Sequence, residues 1–324
     1  MAEKKSRGPK KNATSALAGN SPASQPSPGN APANGMMRTP LFQAMHAERY
    51  QRQFLIKNIQ GITNRKLVCY VAGTAALINR DDTLGFVDLL HNIPKGSDLD
   101  FLLHTPGGDM DAAEKLITMI RTRVGNGRLR VIVPDFAKSA GTLIAIGADV
   151  IAMSDCSELG PIDPQITLND AHSNSIPHSI QSYLDAYAAH SQALKQDPTD
   201  QAARIMLEKL DPGTIKLFEA ARERARTFAE SQLKRHSPTY TKVAAALLDT
   251  HKWLSHGQMI GHEDATSIGL NVEYHDPQSP DWHPVWQLYA LQRMAVRDDV
   301  KLFESDVVSV QFESGAASSR SRGD

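Results

Sequence analysis

A chain of 324 residues that is 41% hydrophobic and 22% charged, with a formal net charge of -1, has the balance of a soluble globular protein. Neutrality removes any whole-molecule electrostatic case for nucleic acid, which is not expected as a partner. The longest apolar candidate for a membrane span, Thr142 to Met153, is about a dozen residues and contains Asp149, short of the ~20 that a spanning helix needs.

The charge is uneven. Lys4, Lys5, Arg7, Lys10, Lys11 and Arg38 stand against Glu3 alone, so a basic tail leads into a mildly acidic body. Such a tail can touch anionic lipid or simply stay solvated, which leaves membrane association open without a transmembrane segment. Cys69 and Cys156 both fall in apolar runs and read as buried thiols in a reducing compartment, with no disulfide framework. The N-terminus is basic but lacks the apolar core of a signal peptide, so the expected location is cytoplasmic.

Residues 1–38 are rich in Ala, Ser, Pro, Asn and Gly, without apolar period, and are expected to be disordered. From Pro40 to Ile59 the residues Leu41, Met45, Tyr50, Phe54 and Leu55 predict an amphipathic helix leading into the domain. Leu67 to Gly73 is a buried strand, and Thr83 to Ile93 a helix carrying Leu84, Val87, Leu89 and Leu90. A strand at Phe101 to Leu103 stops in Thr105-Pro106-Gly107-Gly108. A helix from Met110 to Val124 then puts Leu116, Ile117, Ile120 and Val124 on one face. The run Leu129 to Pro134 is the next strand, 140–148 the next helix, and Val150 to Met153 the strand after it. Short strands apolar on both faces, alternating with helices, predict parallel strands joined by right-handed crossovers. Turn formers dominate Ser154 to Gln165. Residues 176–250 read as mostly helical: Ile180 to Leu194, Asp200 to Leu210, Pro212 to Lys234 and Pro238 to Leu248. Ile268-Gly-Leu-Asn-Val272 returns to a strand, Asp281 to Val300 is a docking helix with Trp282 and Trp286, and 306–324 is expected to be a flexible tail.

Both small-residue turns fall at the carboxyl ends of strands, where open parallel sheets carry their sites. Adjacent glycines leave backbone N–H groups bare of side chains. Ser139, in Ala137-Lys-Ser-Ala-Gly141, sits at the mouth of a helix with small neighbours. An oxygen nucleophile beside a nest of amide donors is what acyl transfer requires. Taken singly, such a serine is more often a helix N-cap, Pro-Gly-Gly is usually a turn, and Ala-Lys-Ser-Ala-Gly misses the first glycine of a Gly-x-Ser-x-Gly elbow. Their placement on consecutive strand ends is what gives them weight.

His104-Thr-Pro-Gly-Gly-Asp109, Ala137 to Asp149 and Glu158-Leu-Gly-Pro-Ile-Asp-Pro-Gln165 together resemble the serine dehydrogenase proteinase family. That family is related to signal peptide peptidase A and, more distantly, to the Clp proteolytic subunit. The resemblance covers about 67–165 and again 251–272. It implies an α/β fold of the Clp/crotonase type, a spiral of parallel strands and helices; with the residue patterns above, that domain is expected over 39–275, with an added mostly helical region at 176–250, a docking helix within 276–305 and disordered termini. It further implies a serine endopeptidase acting on peptides or unfolded protein, independent of ATP. Ser139 would be the nucleophile, with backbone N–H groups of Gly107 or Gly108 and of Ala140 as oxyanion donors.

The general base is not legible. A Clp-type histidine would fall near Pro164, where Asp163 stands instead. Lys138 neighbours the serine, but adjacent side chains at such a turn usually point apart. Lys195, Lys209 and Lys216 lie at roughly the sequence distance of a lysine base. Lys195 and Lys209 are carried forward as candidates, although a lysine base must be buried to lose its proton near neutrality. Asp163 could orient a base or merely cap its own turn. His256 could reach the site or be a structural histidine, and His104 could line a substrate channel or only finish its strand.

No His-Glu-x-x-His, paired cysteines, phosphate loop or Gly-x-Gly-x-x-Gly occurs, so neither metal nor cofactor is expected. Two other readings stand beside the peptidase: a crotonase-like acyl-thioester enzyme using the same oxyanion hole, and an inactive assembly protein of the same fold. Parallel spiral folds usually leave apolar faces for neighbouring subunits to cover, so a homo-oligomer is expected.

Overall fold

The computed structural model describes residues 39–169 and 175–314, so the expectations for 1–38 and for the end of the tail lie outside the described residues. The chain divides into two units, the first ending at Met45 and the second running from His46. The described part of the first unit is one short exposed helix, α1 (Pro40–Met45).

The second unit opens with α2 (Ala47–Thr63), β1 (Lys66–Ala72), α3 (Asp82–His91), β2 (Leu99–His104), α4 (Met110–Val124) and β3 (Leu129–Ile132). Next come β4 (Phe136–Ala137), α5 (Ala140–Ala145), β5 (Val150–Met153), β6 (Glu158–Leu159), β7 (Gln165–Asn169) and β8 (Ser175–Ser179). A helical stretch holds α6 (Ile180–Gln196), α7 (Gln201–Glu208), α8 (Pro212–Leu233) and α9 (Tyr240–Leu247). The chain closes with α10 (His262–Ser267), β9 (Val272–Tyr274), α11 (Trp282–Ala295), β10 (Val300–Ser305) and β11 (Ser309–Glu313).

The main sheet has the order β11-β10-β1-β2-β3-β5-β9. Its pairs β1–β2, β2–β3, β3–β5 and β5–β9 are parallel, and β10 and β11 extend it antiparallel. Because successive strand side chains face opposite ways, β1 feeds two cores. Val68 and Tyr70 pack with Phe101, Leu103 and the buried faces of α3, α4 and α5, while Leu67, Cys69 and Val71 pack against α2 and α11. Tyr70, Phe86, Phe101 and Phe303 meet ring to ring with centroids 5.1 to 5.8 Å apart. This is the expected α/β arrangement of mostly parallel strands joined by helices.

Helix α4 starts where Asp109 Oδ1 accepts the Ala112 N–H at 2.7 Å, and its Leu116, Ile117, Ile120 and Val124 are buried. The helical stretch has a small core of its own in Ile180, Leu184, Ile215 and Phe218. Phe228, Ala229 and Leu233 of α8 and Val243, Ala244 and Leu247 of α9 join the main core.

The sequence expectations need correction at several places. Helix α2 buries Leu55, Ile56 and Ile59 together with Arg52 and Gln53, and leaves Phe54 exposed. Arg52 can be buried because its Nε donates to both carboxylate oxygens of Glu304 on β10, at 3.1 and 2.9 Å. On α3 the core residues are Phe86, Leu89 and Leu90, whereas Leu84 and Val87 are exposed. Cys156 is exposed, unlike Cys69. The docking helix ends at Ala295, and five residues of the expected flexible tail, Ser309–Glu313, form β11, paired with β10. The antiparallel pair β7–β8 was not anticipated either.

Candidate active site

Over the strand ends lies a second, smaller layer. β4 and β6 pair in parallel, with Ala137 opposite Leu159, and single bridges add Thr105 beside Ala137 and Ile260, antiparallel, beside Leu159. The chain therefore brings the glycine turn, the serine turn, the Glu158–Gln165 loop and the segment before Ile260 to one edge.

The glycine turn is pinned by Ile78, whose N–H donates to the Gly107 carbonyl at 2.7 Å and whose carbonyl accepts the Asp109 N–H at 2.9 Å. Gly107 and Gly108 have φ of 108° and 144°, a region that disfavours side chains. Space forbids one as well. A Cβ on Gly107 would stand 2.9 Å from both Ser139 Cβ and the Lys138 carbonyl oxygen and 3.5 Å from the Ala140 nitrogen. A Cβ on Gly108 would strike the Ile78 backbone at 2.4 Å. The two turns, about thirty positions apart in sequence, are thus in contact, and the contact needs glycine.

Ser139 is half-buried and takes φ 50° and ψ -114°, which a non-glycine residue holds only when its surroundings impose it. Although it stands at the N-cap position of α5, its side chain makes no capping hydrogen bond. Thr142 holds the turn, its Oγ1 donating to the Ala137 carbonyl at 2.7 Å and accepting the Gly160 N–H at 3.0 Å. The Gly107 N–H is engaged by Thr105 Oγ1 at 3.2 Å. Among the described residues the amides of Gly108 and Ala140 have no partner, so both are donors open to a ligand.

Lys138 turns away from its neighbour. Its Nζ donates to Glu158 Oε2 at 2.7 Å, to the Leu159 carbonyl at 3.1 Å and to the Gly257 and Gln258 carbonyls at 3.4 Å each, tying the serine turn to the segment around His256. There Nδ1 of His256 lies 2.7 Å from Oδ1 of the buried Asp163, whose Oδ2 accepts from Gln165 Nε2 at 2.7 Å. Each is a separate candidate in the sequence, and the fold pairs them. They are 93 positions apart, and no spacing rule connects them.

The profile of a family described as ClpP-like SDH-type serine proteinases matches residues 72–316 of this chain. The chain belongs to that family. It is similar to the uncharacterized protein MJ0137 of Methanocaldococcus jannaschii, 29% identical over 226 residues that make up 68% of this chain and 67% of the relative. A second protein of that organism, the uncharacterized protein MJ1495, is 34% identical over 89 residues, 28% of this chain and 30% of its own length. Among solved structures, two mutants of the 1510-N membrane-bound stomatin-specific protease, one in complex with a substrate peptide, align at 18% and 17% identity. They cover 70% and 66% of this chain and 99% of their own, with a TM-score of 0.29 each. Membership makes the protein a serine peptidase by family.

The remaining candidates of this family member are placed as follows. Lys195 lies in the last turn of α6 and Lys209 caps α7; both are exposed, and no hydrogen bond or ion pair joins either to the serine turn. Lys216 is exposed and donates to Glu219 at 2.8 Å. His104 is fully buried, its ring centroid 4.0 Å from that of Phe136 and its Nδ1 3.3 Å from the Tyr289 hydroxyl, which itself donates to Asp135. Burial lowers its pKa to about 3, and the enclosed ring faces no solvent. No helix among the described residues is long and apolar enough to cross a membrane.

Proposed function

We propose that the protein is an ATP-independent serine endopeptidase that cleaves peptides or unfolded protein through an acyl-enzyme on Ser139. The observation that carries this reading is the contact between turns. The Gly107 backbone stands directly against Ser139 Cβ and the Ala140 amide, which supports a hydroxyl and free backbone N–H groups facing one carbonyl at this edge.

Ser139 Oγ attacks the carbonyl carbon as its proton passes to a base, and the resulting oxyanion accepts from Gly108 and Ala140 N–H. The C–N bond then breaks, the amine leaves with the proton, and water hydrolyses the ester by the same route. Amides fixed in advance at such a turn cost no reorganisation during reaction, and one such donor is worth about 10²–10³ in rate. An acyl-thioester enzyme would use the amides without a nucleophile. The imposed φ of Ser139 favours the peptidase, since neither a plain helix cap nor a bystander hydroxyl requires it.

Leu84 and Val87, 68% and 51% exposed on α3, support self-association into a homo-oligomer, which light scattering at micromolar concentration measures. The peptidase reading is tested by cleavage of a fluorogenic peptide and of an unfolded protein. Ser139→Ala is expected to abolish both, and undiminished cleavage by that variant would sink the assignment.

A further inference from the structure

We infer that Asp82, held by the buried ammonium of Lys301, is a positioning residue for the Gly108 oxyanion donor, an inference that rests on the reading of Ser139 as nucleophile.

The path from the carboxylate to the amide is short. Asp82 Oδ2 accepts the Asn79 N–H at 3.0 Å, and the Asp82 N–H donates back to the Asn79 carbonyl at 3.3 Å. This pair of bonds closes the loop directly after Ile78. Ile78 in turn donates to the Gly107 carbonyl, accepts from the Asp109 N–H and forms a parallel bridge with Gly108. Its backbone leaves no room for a Cβ on Gly108, so the place of the Gly108 amide follows that of Ile78. The other end of the same segment lies on the entry to β10. There the Gly73 N–H donates to the Val300 carbonyl and the Ala75 N–H to the Asp298 carbonyl, each at 2.8 Å. A Cβ on Gly73 would stand 2.0 Å from the Arg297 carbonyl oxygen, so this contact is backbone on backbone. Residues 73–82 are therefore held by β10 at both ends, with the glycine turn pinned between.

The chemistry of the pair fits the role. Asp82 Oδ1 accepts from Lys301 Nζ at 2.7 Å, and Oδ2 accepts the Tyr70 hydroxyl at 3.1 Å beside the Asn79 N–H. Both side chains of the ion pair are 2% exposed. A buried ion pair gains little stability over apolar residues of similar volume, so stability alone does not call for one here. What a carboxylate supplies and a leucine cannot is an acceptor for the Asn79 N–H. Burial pushes the Asp82 carboxyl above its ordinary value, and the Lys301 ammonium draws it back. Without that ammonium the carboxyl takes up a proton more readily, which turns an accepting oxygen into a donor.

β10 carries its own comparison. Glu304, three positions on and on the opposite face of the strand, holds Arg52 in a pair that is just as buried, in the core against α2 and α11. The other hydrogen bonds of Glu304 go to Gln292 and Ser309, away from residues 73–82. The two pairs thus share a strand and a degree of burial, and differ in what they hold.

The experiment uses the full chain, well below the Tm of each variant. It reads the rate of Ser139 phosphonylation by a fluorophosphonate probe, with kcat and KM on a fluorogenic peptide. Asp82→Asn has one oxygen for two sets of donors and should lose about 10–10²-fold in kcat and in labelling, the effect of a small misplacement of the site, with KM nearly unchanged. Arg52→Met should lower Tm as well, yet keep kcat and labelling within about threefold of wild type. Two double variants bury no charge and guard against a folding failure. Asp82→Asn with Lys301→Met leaves the amide oxygen free for Asn79, whereas Asp82→Leu with Lys301→Met leaves no acceptor. The first should react about 10–10²-fold faster than the second. Equal rates in the two double variants would overturn the inference, as would a loss in Arg52→Met as large as in Asp82→Asn. Either result leaves Ser139 as nucleophile so long as wild type is labelled there; wild-type protein that takes no label at Ser139 would overturn that reading instead.

Discussion

Replacing Gly107 by alanine separates backbone strain from active-site contact, because Gly96 is a built-in control. Both glycines have positive φ, 108° and 84°, but a Cβ at Gly96 meets nothing within 4 Å, whereas one at Gly107 comes within 2.9 Å of Ser139 Cβ and of the Lys138 carbonyl. Each substitution pays the positive-φ penalty of about 1–2 kcal/mol. For a body of this size that lowers Tm by about 2–4 °C per kcal/mol. Only Gly107→Ala must also push the turn away from the serine by a few tenths of an ångström or more. That moves the Gly108 donor, and losing such a donor costs about 10²–10³ in rate. The assay is kcat/KM on a fluorogenic peptide beside a thermal melt. Both variants should melt lower, Gly107→Ala by the larger margin, with the activity loss confined to Gly107→Ala. Activity of Gly107→Ala within about threefold of Gly96→Ala would refute the reasoning.

Three further outcomes follow from the same geometry. Ser139→Gly relieves a φ of 50° that Ser139→Ala keeps, so the glycine variant should be the more stable by about 1 kcal/mol in denaturant unfolding, though both are inactive. Lys138→Met strips the donor from Glu158 and from three carbonyls, and should cost about 1–3 kcal/mol; a shift below about 0.5 kcal/mol would show the lysine to be incidental. The Glu273 carboxylate beside His275 raises the imidazole pKa, with Asp281 adding to it, and in return holds Glu273 down to about 2. A raised histidine contributes stability fully below its unfolded value near 6.5 and loses it as pH climbs through the folded one. Tm should accordingly fall from pH 6 to pH 8.5 by more in wild type than in His275→Gln, and parallel curves would contradict the assignment.

The parallel core was legible because its signals are local. Leu116, Ile117, Ile120 and Val124 repeat at helical spacing behind the Asp109 cap, and the strand Val150–Met153 is apolar on both faces. The same rule misread α2, where Arg52 and Gln53 point inward. Their partners, Glu304 and the carbonyls of Ser305 and Val308, lie some 250 residues away and are invisible to periodicity. Strand β10 escaped for the same reason, since its buried Lys301 and Glu304 have their partners in Asp82 and Arg52, more than 200 positions away. At the site, the two turns could be read because each is a strand end rich in small residues. The pairing of His256 with Asp163 could not, being a product of chain return rather than of spacing.

The central claim is that the Ser139 hydroxyl, and no other, attacks the acyl carbon. Mass spectrometry of the protein after treatment with a fluorophosphonate tests it most directly. The account predicts one adduct, on the peptide bearing Ser139, that disappears in Ser139→Ala along with peptide cleavage. An adduct on another residue, or cleavage that persists in the unlabelled variant, would contradict it.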